Sequence, residues 1–316
     1  MDLLSDVIAS MRIGRAHSAL VRRTRPFVRR SPASEGAGFH VVVRGSAWFI
    51  PADGAPLALG TGDVVFLPNG SAHTLADSLD TPIEYLDPPP TEMPAPTPDW
   101  ADEPEAHAIG AETLLLCGAY LLDRTHPHPL IGGLPDVIHI PARLGDRSSV
   151  RAVTDLLATE LQSENPGREA MIAALLDTLL LHLLRTWISE HADPDGSPWA
   201  AALADPAVSA ALDAIHTDPL SPWTVDGLAA RARLSRASFS ARFSALVGRP
   251  PIAYLTWWRL SLAARELRRS DATIATVAAR TGYASEFAFA NAFKREFGVA
   301  PGRFRRAATT TGDSRI

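Results

Sequence analysis

The spacing of hydrophobic positions changes character along this chain. Between residues 38 and 86, β-branched and aromatic residues come in short runs: Phe39-His40-Val41-Val42-Val43, Gly45 to Ile50, and Asp63 to Leu67. Gly, Pro and Asn-Gly turn signals bound them, which predicts strands at all-β spacing. Strand character resumes at Thr113 to Tyr120. From 147 to 191 the period becomes helical, with Met171, Leu175, Leu176, Leu179, Leu180, Leu183 and Leu184 at three/four spacing. Such a stripe packs on its own domain or forms the seam of a dimer, and spacing alone serves both. Its most apolar stretch, Ala173 to Leu184, contains Asp177 and His182 and is followed by Arg185. That is too short and too polar for a membrane span. Residues 87–109 are Pro-rich and acidic, which predicts a mobile loop. His191 to Pro198 reads as a polar linker.

Beyond the linker the chain matches itself at a period of 50 residues. Ala229, Ser235, Phe239, Phe243, Gly248 and Pro251 recur as Ala279, Ser285, Phe289, Phe293, Gly298 and Pro301. Two copies are too few for a solenoid and indicate a duplicated supersecondary unit. Each copy reads helix, tight turn, helix, with Thr224 and Ser235 as caps in the first and Thr273 and Ser285 in the second. Gly248 and Gly298 end the second helices. One long helix, Pro251 to about Arg268, joins the copies through Tyr254, Leu255, Trp258, Leu262 and Leu267. This is a helix-turn-helix shape, whose second helix lies in the DNA major groove.

Charge sharpens that expectation. The 316 residues carry 30 Lys and Arg against 35 Asp and Glu, a net of −5, which by itself argues against a nucleic-acid binder. The distribution reverses the argument. Residues 205–316 hold 16 basic and 9 acidic residues, a net of +7; residues 1–204 hold 14 and 26, a net of −12. Such asymmetry marks a nucleic-acid or membrane-facing module joined to something else. A 46% apolar composition supports a core in each of about two domains. Cys117 is the single cysteine, so no intrachain disulfide forms. Asp2 and Asp6 precede any basic residue, unlike a signal peptide. A cytoplasmic protein with no membrane partner is expected.

The C-terminal segment resembles the DNA-binding domain of the AraC/XylS family of bacterial transcription regulators. The matching residues are Leu228-Ala229, Leu234-Ser235, Phe243, Gly248, Tyr254, Trp258-Arg259 and Ala263. In the second half they are Ile274, Val277-Ala278, Gly282-Tyr283, Ser285, Phe289, Ala292-Phe293-Lys294, Phe297-Gly298, Pro301 and Phe304-Arg305. The resemblance implies two motifs laid along one face of double-stranded DNA, and RNA polymerase as a partner. By position it implies that Arg236, Ala237, Ser240 and Ala241 face bases from the first recognition helix. Ser285, Glu286, Ala290, Asn291 and Lys294 do so from the second. Asn is a bidentate partner for adenine, and Glu accepts from cytosine N4. Family members often carry a longer side chain where this chain has Ala241, so the first helix reads weakly or through shape. Arg242, Arg249, Arg259, Arg295 and Arg303 contact phosphate or face solvent.

In the N-terminal half, Gly62, Pro68, Gly70 and His73 match the second conserved motif of cupins, small β-barrels. Phe39 to Gly45, Gly62 to Pro68, Cys117-Gly118, His128 to Ile131 and Leu134-Pro135 resemble the cupin sensor domain of one branch of the regulator family. The first metal motif of catalytic cupins is missing: no His-x-His precedes Gly45, Gly38 stands at the expected Glu, and Asp77 replaces an Asn. His40, His73 and Cys117, with His17 as a possible fourth member, remain a candidate zinc set. A zinc-bound or low-pKa thiolate would also be oxidisable. Otherwise the histidines hydrogen-bond within the barrel and Cys117 is a small core residue. Arg22, Arg23, Arg25, Arg29 and Arg30 form a basic segment, able to receive an anion or simply to face solvent.

The expected fold is α+β and multidomain. It comprises a cupin-like β-barrel over 1–140, a helical region able to dimerise over 141–191, a linker over 192–204, a double helix-turn-helix over 205–308 and a disordered tail over 309–316. The expected function is a sequence-specific transcription regulator answering a small-molecule effector or an oxidant, with an N-terminal domain that is not an enzyme. A metal-dependent cupin enzyme fused to a DNA-binding tail and a purely structural helical protein are the competing readings.

Overall fold

The computed structural model describes residues 3–11, 14–34, 36–81, 112–122, 128–142, 149–192 and 197–306. The Pro-rich stretch 87–109 and the tail 309–316 lie outside these. The chain forms two compact units. One comprises Arg12–Arg124 and Leu134–Trp187; the other comprises Met1–Met11, Thr125–Gly133 and Ile188–Ile316.

Among the described residues the first unit is built on nine strands: β1 (His17–Thr24), β2 (Val28–Ser31), β3 (Ala37–Arg44), β4 (Ser46–Pro51), β5 (Leu57–Gly60), β6 (Val64–Leu67), β7 (His73–Ala76), β8 (Glu112–Tyr120) and β9 (Ile138–Ile140). They form a five-stranded sheet, β1-β8-β3-β6-β9, and a four-stranded sheet, β2-β7-β4-β5, with every described pairing antiparallel. The expected barrel is therefore corrected to two open sheets. Closure requires pairing all the way round, whereas β1, β9, β2 and β5 are edges. The chain alternates between layers, so hydrogen bonds stay within each sheet. The apolar side chains Val21, Phe27, Val42, Phe49, Leu59, Val65, Leu67, Leu75 and Leu115 make a shared core.

Gly70 shows why the motif needs glycine. Its φ is +58°, and a Cβ there would lie 2.3 Å from the Gly36 carbonyl oxygen and 2.5 Å from that of Ser34. Asp77 closes a neighbouring corner, its carboxylate accepting from the Phe27 N–H at 2.9 Å and the Thr81 hydroxyl at 2.7 Å.

The unit also includes α3 (Ser149–Leu161) and most of α4 (Arg168–Glu190). The region expected as a connector thus belongs to the sandwich: α3 packs on β1 and β3, and the Tyr120 hydroxyl donates to the Leu176 carbonyl at 2.9 Å. The α4 stripe Leu176, Leu179, Leu180, Leu183, Leu184 and Trp187 is buried. By length and composition α4 is the one described helix able to cross a membrane. Its buried stripe instead fits the core helix of a globular unit.

The second unit contains α1 (Leu3–Met11), α2 (Pro129–Gly132), α5 (Pro198–Ala204), α6 (Pro206–Thr217), α7 (Val225–Arg231), α8 (Arg236–Val247), α9 (Pro251–Arg269), α10 (Ile274–Arg280) and α11 (Glu286–Phe297). Part of the stretch read as linker is α5, with Trp199, Ala200 and Ala202 buried. Segments on both sides of the β1–β8 stretch also join this unit, through α1 on α6 and α9 and α2 on α5.

A buried hydrogen-bond chain fastens them. The Leu130 N–H donates to His128 Nδ1 at 3.1 Å, so the ring proton sits on Nε2 and is donated to the Tyr254 oxygen at 3.0 Å. The Tyr254 hydroxyl in turn donates to His216 Nε2 at 2.9 Å. That leaves the His216 proton on Nδ1, facing Asp6 Oδ2 at 3.5 Å. Burial raises the Tyr254 pKa well above its ordinary value, which keeps the hydroxyl a donor. Tyr254→Phe strands one buried donor and one buried acceptor. It is expected to lower stability by about 1–3 kcal/mol, read as a shift in the urea midpoint.

Candidate nucleic-acid interface and sensor interior

Each helix-turn-helix is fixed by its own caps. Thr224 Oγ1 accepts from the Gly227 N–H at 3.0 Å and Ser235 Oγ from the Ser238 N–H at 3.3 Å. Thr273 and Ser285 do the same for Thr276 and Ala288 at 3.1 and 3.2 Å. Gly248 and Gly298 end α8 and α11 at φ +78° and +74°. The recognition helices repeat at 50 residues, as Phe239, Phe243 and Val247 against Phe289, Phe293 and Phe297, all buried. The first helices repeat at 49, as Thr224, Leu228 and Ala229 against Thr273, Val277 and Ala278. The second turn is therefore one residue longer. It passes through the left-handed region at Gly282 (φ +82°), while the first does so at Arg233 (φ +54°).

Burying those aromatic faces turns the opposite faces outward. On α8 and its cap, Ser235, Arg236, Ala237, Ser238, Ala241 and Arg242 are exposed and Ser240 is half-buried; on α11 and its cap, Ser285, Glu286, Phe287, Ala288, Asn291 and Lys294 are exposed and Ala290 is half-buried. The residues assigned to bases by position thus lie on the outward side of both helices. The arginines divide by their partners. Arg295 and Arg303 are exposed, and Arg242 pairs with Asp205. Arg249 pairs with Glu296 at 3.3 Å and lies over the Trp257 ring, tying the end of the first motif to α11. Arg259 donates to the Pro219 and Ser221 carbonyls at 2.6 and 2.9 Å, which makes it a clamp on that turn. Arg236 pairs with Asp226 at 3.0 Å, both exposed, an arrangement that costs little to open.

In the sandwich interior, register places His40 of β3 opposite Cys117 of β8. His73 Nδ1 donates to the Ser71 carbonyl at 2.9 Å, so its Nε2 is an acceptor. His40 Nε2–H donates to it at 2.8 Å, and the remaining His40 Nδ1 accepts from the Cys117 thiol at 3.0 Å. Burial drives the His40 pKa well below its ordinary value and lowers that of His73. Burial also pushes the Cys117 thiol up to about 12 against the pull of Arg23 and Arg29.

The zinc expectation is corrected by this arrangement. The two nitrogens of His40 face opposite ways, one to the thiol and one to His73, so the three donors do not surround one point. Among the described residues no group of three or more His, Cys, Asp or Glu is placed to hold a metal ion. His17 begins β1 opposite Ala119, two residues along β8 from Cys117. The thiol is a protonated core group, the opposite of the low-pKa thiolate that oxidation would favour. Of the basic segment, Arg22 pairs with Glu112 at 3.0 Å, Arg25 donates to the Ser46 hydroxyl at 2.8 Å and Arg23 is buried. Arg29 and Arg30 lie on β2, opposite Leu75 and Thr74.

Sequence comparisons match the two parts of the chain to separate families, the first match also covering α1 and α2 of the helical unit. A cupin family model matches residues 2–189 and a helix-turn-helix domain model matches 228–307. An AraC-like transcription regulator of Streptomyces lividans is 34% identical over 98% of this chain and 99% of its own. The HTH-type transcriptional regulator AlkR of Acinetobacter baylyi is 30% identical over 97% and 99%. Among solved structures, the DNA-binding domain of AdpA in complex with a target DNA is 31% identical, covering 37% of this chain and 96% of that one at a TM-score of 0.31.

Two outcomes test the buried groups. Cys117 should react with a thiol reagent at pH 8 far more slowly in the native protein than in urea, because a thiol with a pKa of about 12 is almost wholly protonated there. His40, His73, His128 and His216 have depressed folded pKa values. Their contribution to stability is complete above the ordinary pKa of about 6.5 and is lost as pH falls through the lower folded values. The urea midpoint should therefore hold from pH 8 to about 7 and decline from about 6 to 5.

Proposed function

The chain belongs to the AraC-type family of helix-turn-helix transcription regulators with an N-terminal cupin domain, and on that premise we propose how its two units divide the work. It is a DNA-binding regulator and not an enzyme, with a sensor domain that answers a small-molecule or redox signal. The observation that carries the DNA-reading assignment is the pair of capped helices α8 and α11, each burying its aromatic side and presenting the other outward. The +7 charge of residues 205–316 supplies phosphate attraction.

In this reading Asn291 makes a bidentate contact to adenine and Glu286 accepts from a cytosine amino group. Ser285, Ala290 and Lys294 complete the second surface; Arg236, Ala237, Ser240 and Ala241 form the first. Arg295 and Arg303 contact phosphate, and Arg242 and Arg249 do so from their ion pairs. The effector acts on the sandwich. The protonated thiol of Cys117 favours a small-molecule ligand over an oxidant. The signal passes along the chain through α1 and the His128 segment, which precede and follow the β1–β8 stretch in sequence and belong to the helical unit. A ligand biases that coupling by its differential affinity for two states. A homodimer through 147–191 uses the exposed Leu156 and Met171, since the leucine stripe is buried. RNA polymerase is the remaining partner, and the cytoplasm the compartment.

Asn291→Ala should relax discrimination at one base pair by about 1–3 kcal/mol while leaving the salt dependence of binding unchanged. Competition among variants of a selected site measures it; unaltered selectivity refutes the adenine contact.

A further inference from the structure

The second recognition helix carries a large apolar side chain in the open. Phe287 is 78% exposed, more than any other large hydrophobic among the described residues. Single exposed apolar side chains are ordinary on protein surfaces, so exposure alone assigns nothing; position does. Phe287 is the second residue of α11, in the first turn, the part of a recognition helix that reaches base edges. It stands four residues before Asn291, hence on the same side of the helix, while Phe289 and Phe293 turn inward to the core.

The duplication supplies an internal control. At the 50-residue period Phe287 corresponds to Ala237 and Asn291 to Ala241. The first helix thus has two methyl groups where the second has an aromatic ring and an amide. Packing does not account for the difference, since Ala237, Ala241, Phe287 and Asn291 are all exposed. The major groove offers one large apolar feature, the thymine C5-methyl, and Phe is among the side chains that contact it.

We propose that Phe287 is a specificity-determining residue that packs on the 5-methyl group of a thymine, so that α11 reads A·T pairs through a ring and an amide together. Four residues of helix rise by about 6 Å. At about 3.4 Å per base pair, that thymine lies within about two pairs of the adenine contacted by Asn291. The second motif therefore carries most of the direct sequence readout, and the first contributes position and shape. This rests on the assignment of α11 as a base-reading helix.

The test uses the full chain and a site selected from a random duplex library. Each thymine of that site is replaced in turn by deoxyuridine, which removes only the methyl group. At one thymine the wild type should lose about 4-fold in affinity, the burial of one methyl group. Phe287→Ala should bind the unmodified site more weakly and lose the thymine–uracil difference at that position alone, while Phe287→Leu keeps part of it. The exposed position leaves folding intact, checked by an unchanged urea midpoint. Wild-type indifference to every deoxyuridine, or a Phe287→Ala variant that keeps the full difference, overturns the proposal. If Asn291→Ala still alters selectivity in that case, only the Phe287 assignment falls. If neither variant changes selectivity, the base-reading role of α11 falls with it. Loss of affinity in Phe287→Ala with the thymine–uracil difference retained points to another partner for the ring and also overturns it.

Discussion

The Tyr254 hydroxyl is the point on which the helical unit depends. It sits on the long helix between the two DNA-reading motifs, fully buried, accepting from His128 and donating to His216. A buried hydroxyl with both functions satisfied needs two partners of opposite tautomer. The Leu130 N–H sets the tautomer of His128, the Tyr254 hydroxyl then sets that of His216, and the remaining His216 proton faces Asp6 at 3.5 Å. The network accordingly binds together α1, the 128–133 segment, α6 and α9. Trp199, Trp257 and Trp258 surround it, with ring centroids 4.9 to 6.3 Å from that of His128. Charging either histidine would leave a cation among aromatic rings, and burial drives both pKa values down accordingly.

That core has consequences at the DNA-facing surface. The same long helix supplies Leu260, Ala263, Ala264 and Leu267 to the second aromatic cluster. Arg249, at the end of the first motif, reaches Glu296 on α11. Among the described residues, α11 is thus linked to the long helix by shared packing and to the end of the first motif by the Arg249–Glu296 ion pair. The longer second turn is absorbed at Gly282, where Arg259 packs close by while clamping the 219–221 turn. Two of the donor groups of Arg259 are thereby taken up by backbone carbonyls of that turn.

The sandwich interior holds a second chain of linked side chains. His73 is oriented by a backbone carbonyl, His40 by His73, and the thiol by His40. A ligand set and a hydrogen-bond chain draw on the same residue types, and only the direction in which each nitrogen points distinguishes them. Here the direction excludes a shared metal and leaves a neutral, polar row beside an apolar core.

Much of this was legible in the residues themselves. Local rules set the strands around Val41 and Val65, the caps at Thr224, Ser235, Thr273 and Ser285, the αL glycines, the duplication and the charge asymmetry, because each depends on near neighbours in the chain. Phe287 stands in the same helix as Phe289 and Phe293, and only the fold shows that it faces outward while they face the core. What periodicity could not decide were the long-range relations. Whether strands close into a barrel depends on pairings between distant edges, and whether α4 is a seam or a core helix depends on what covers Leu176 and Leu183. That Asp6 and His128 belong with Tyr254 is invisible along the chain, because 126 residues separate the last two. The sequence by itself determined the local elements and the kind of molecule. The tertiary structure decided which polar groups are spent on one another, since burial makes every unpaired donor or acceptor costly and so selects the partners.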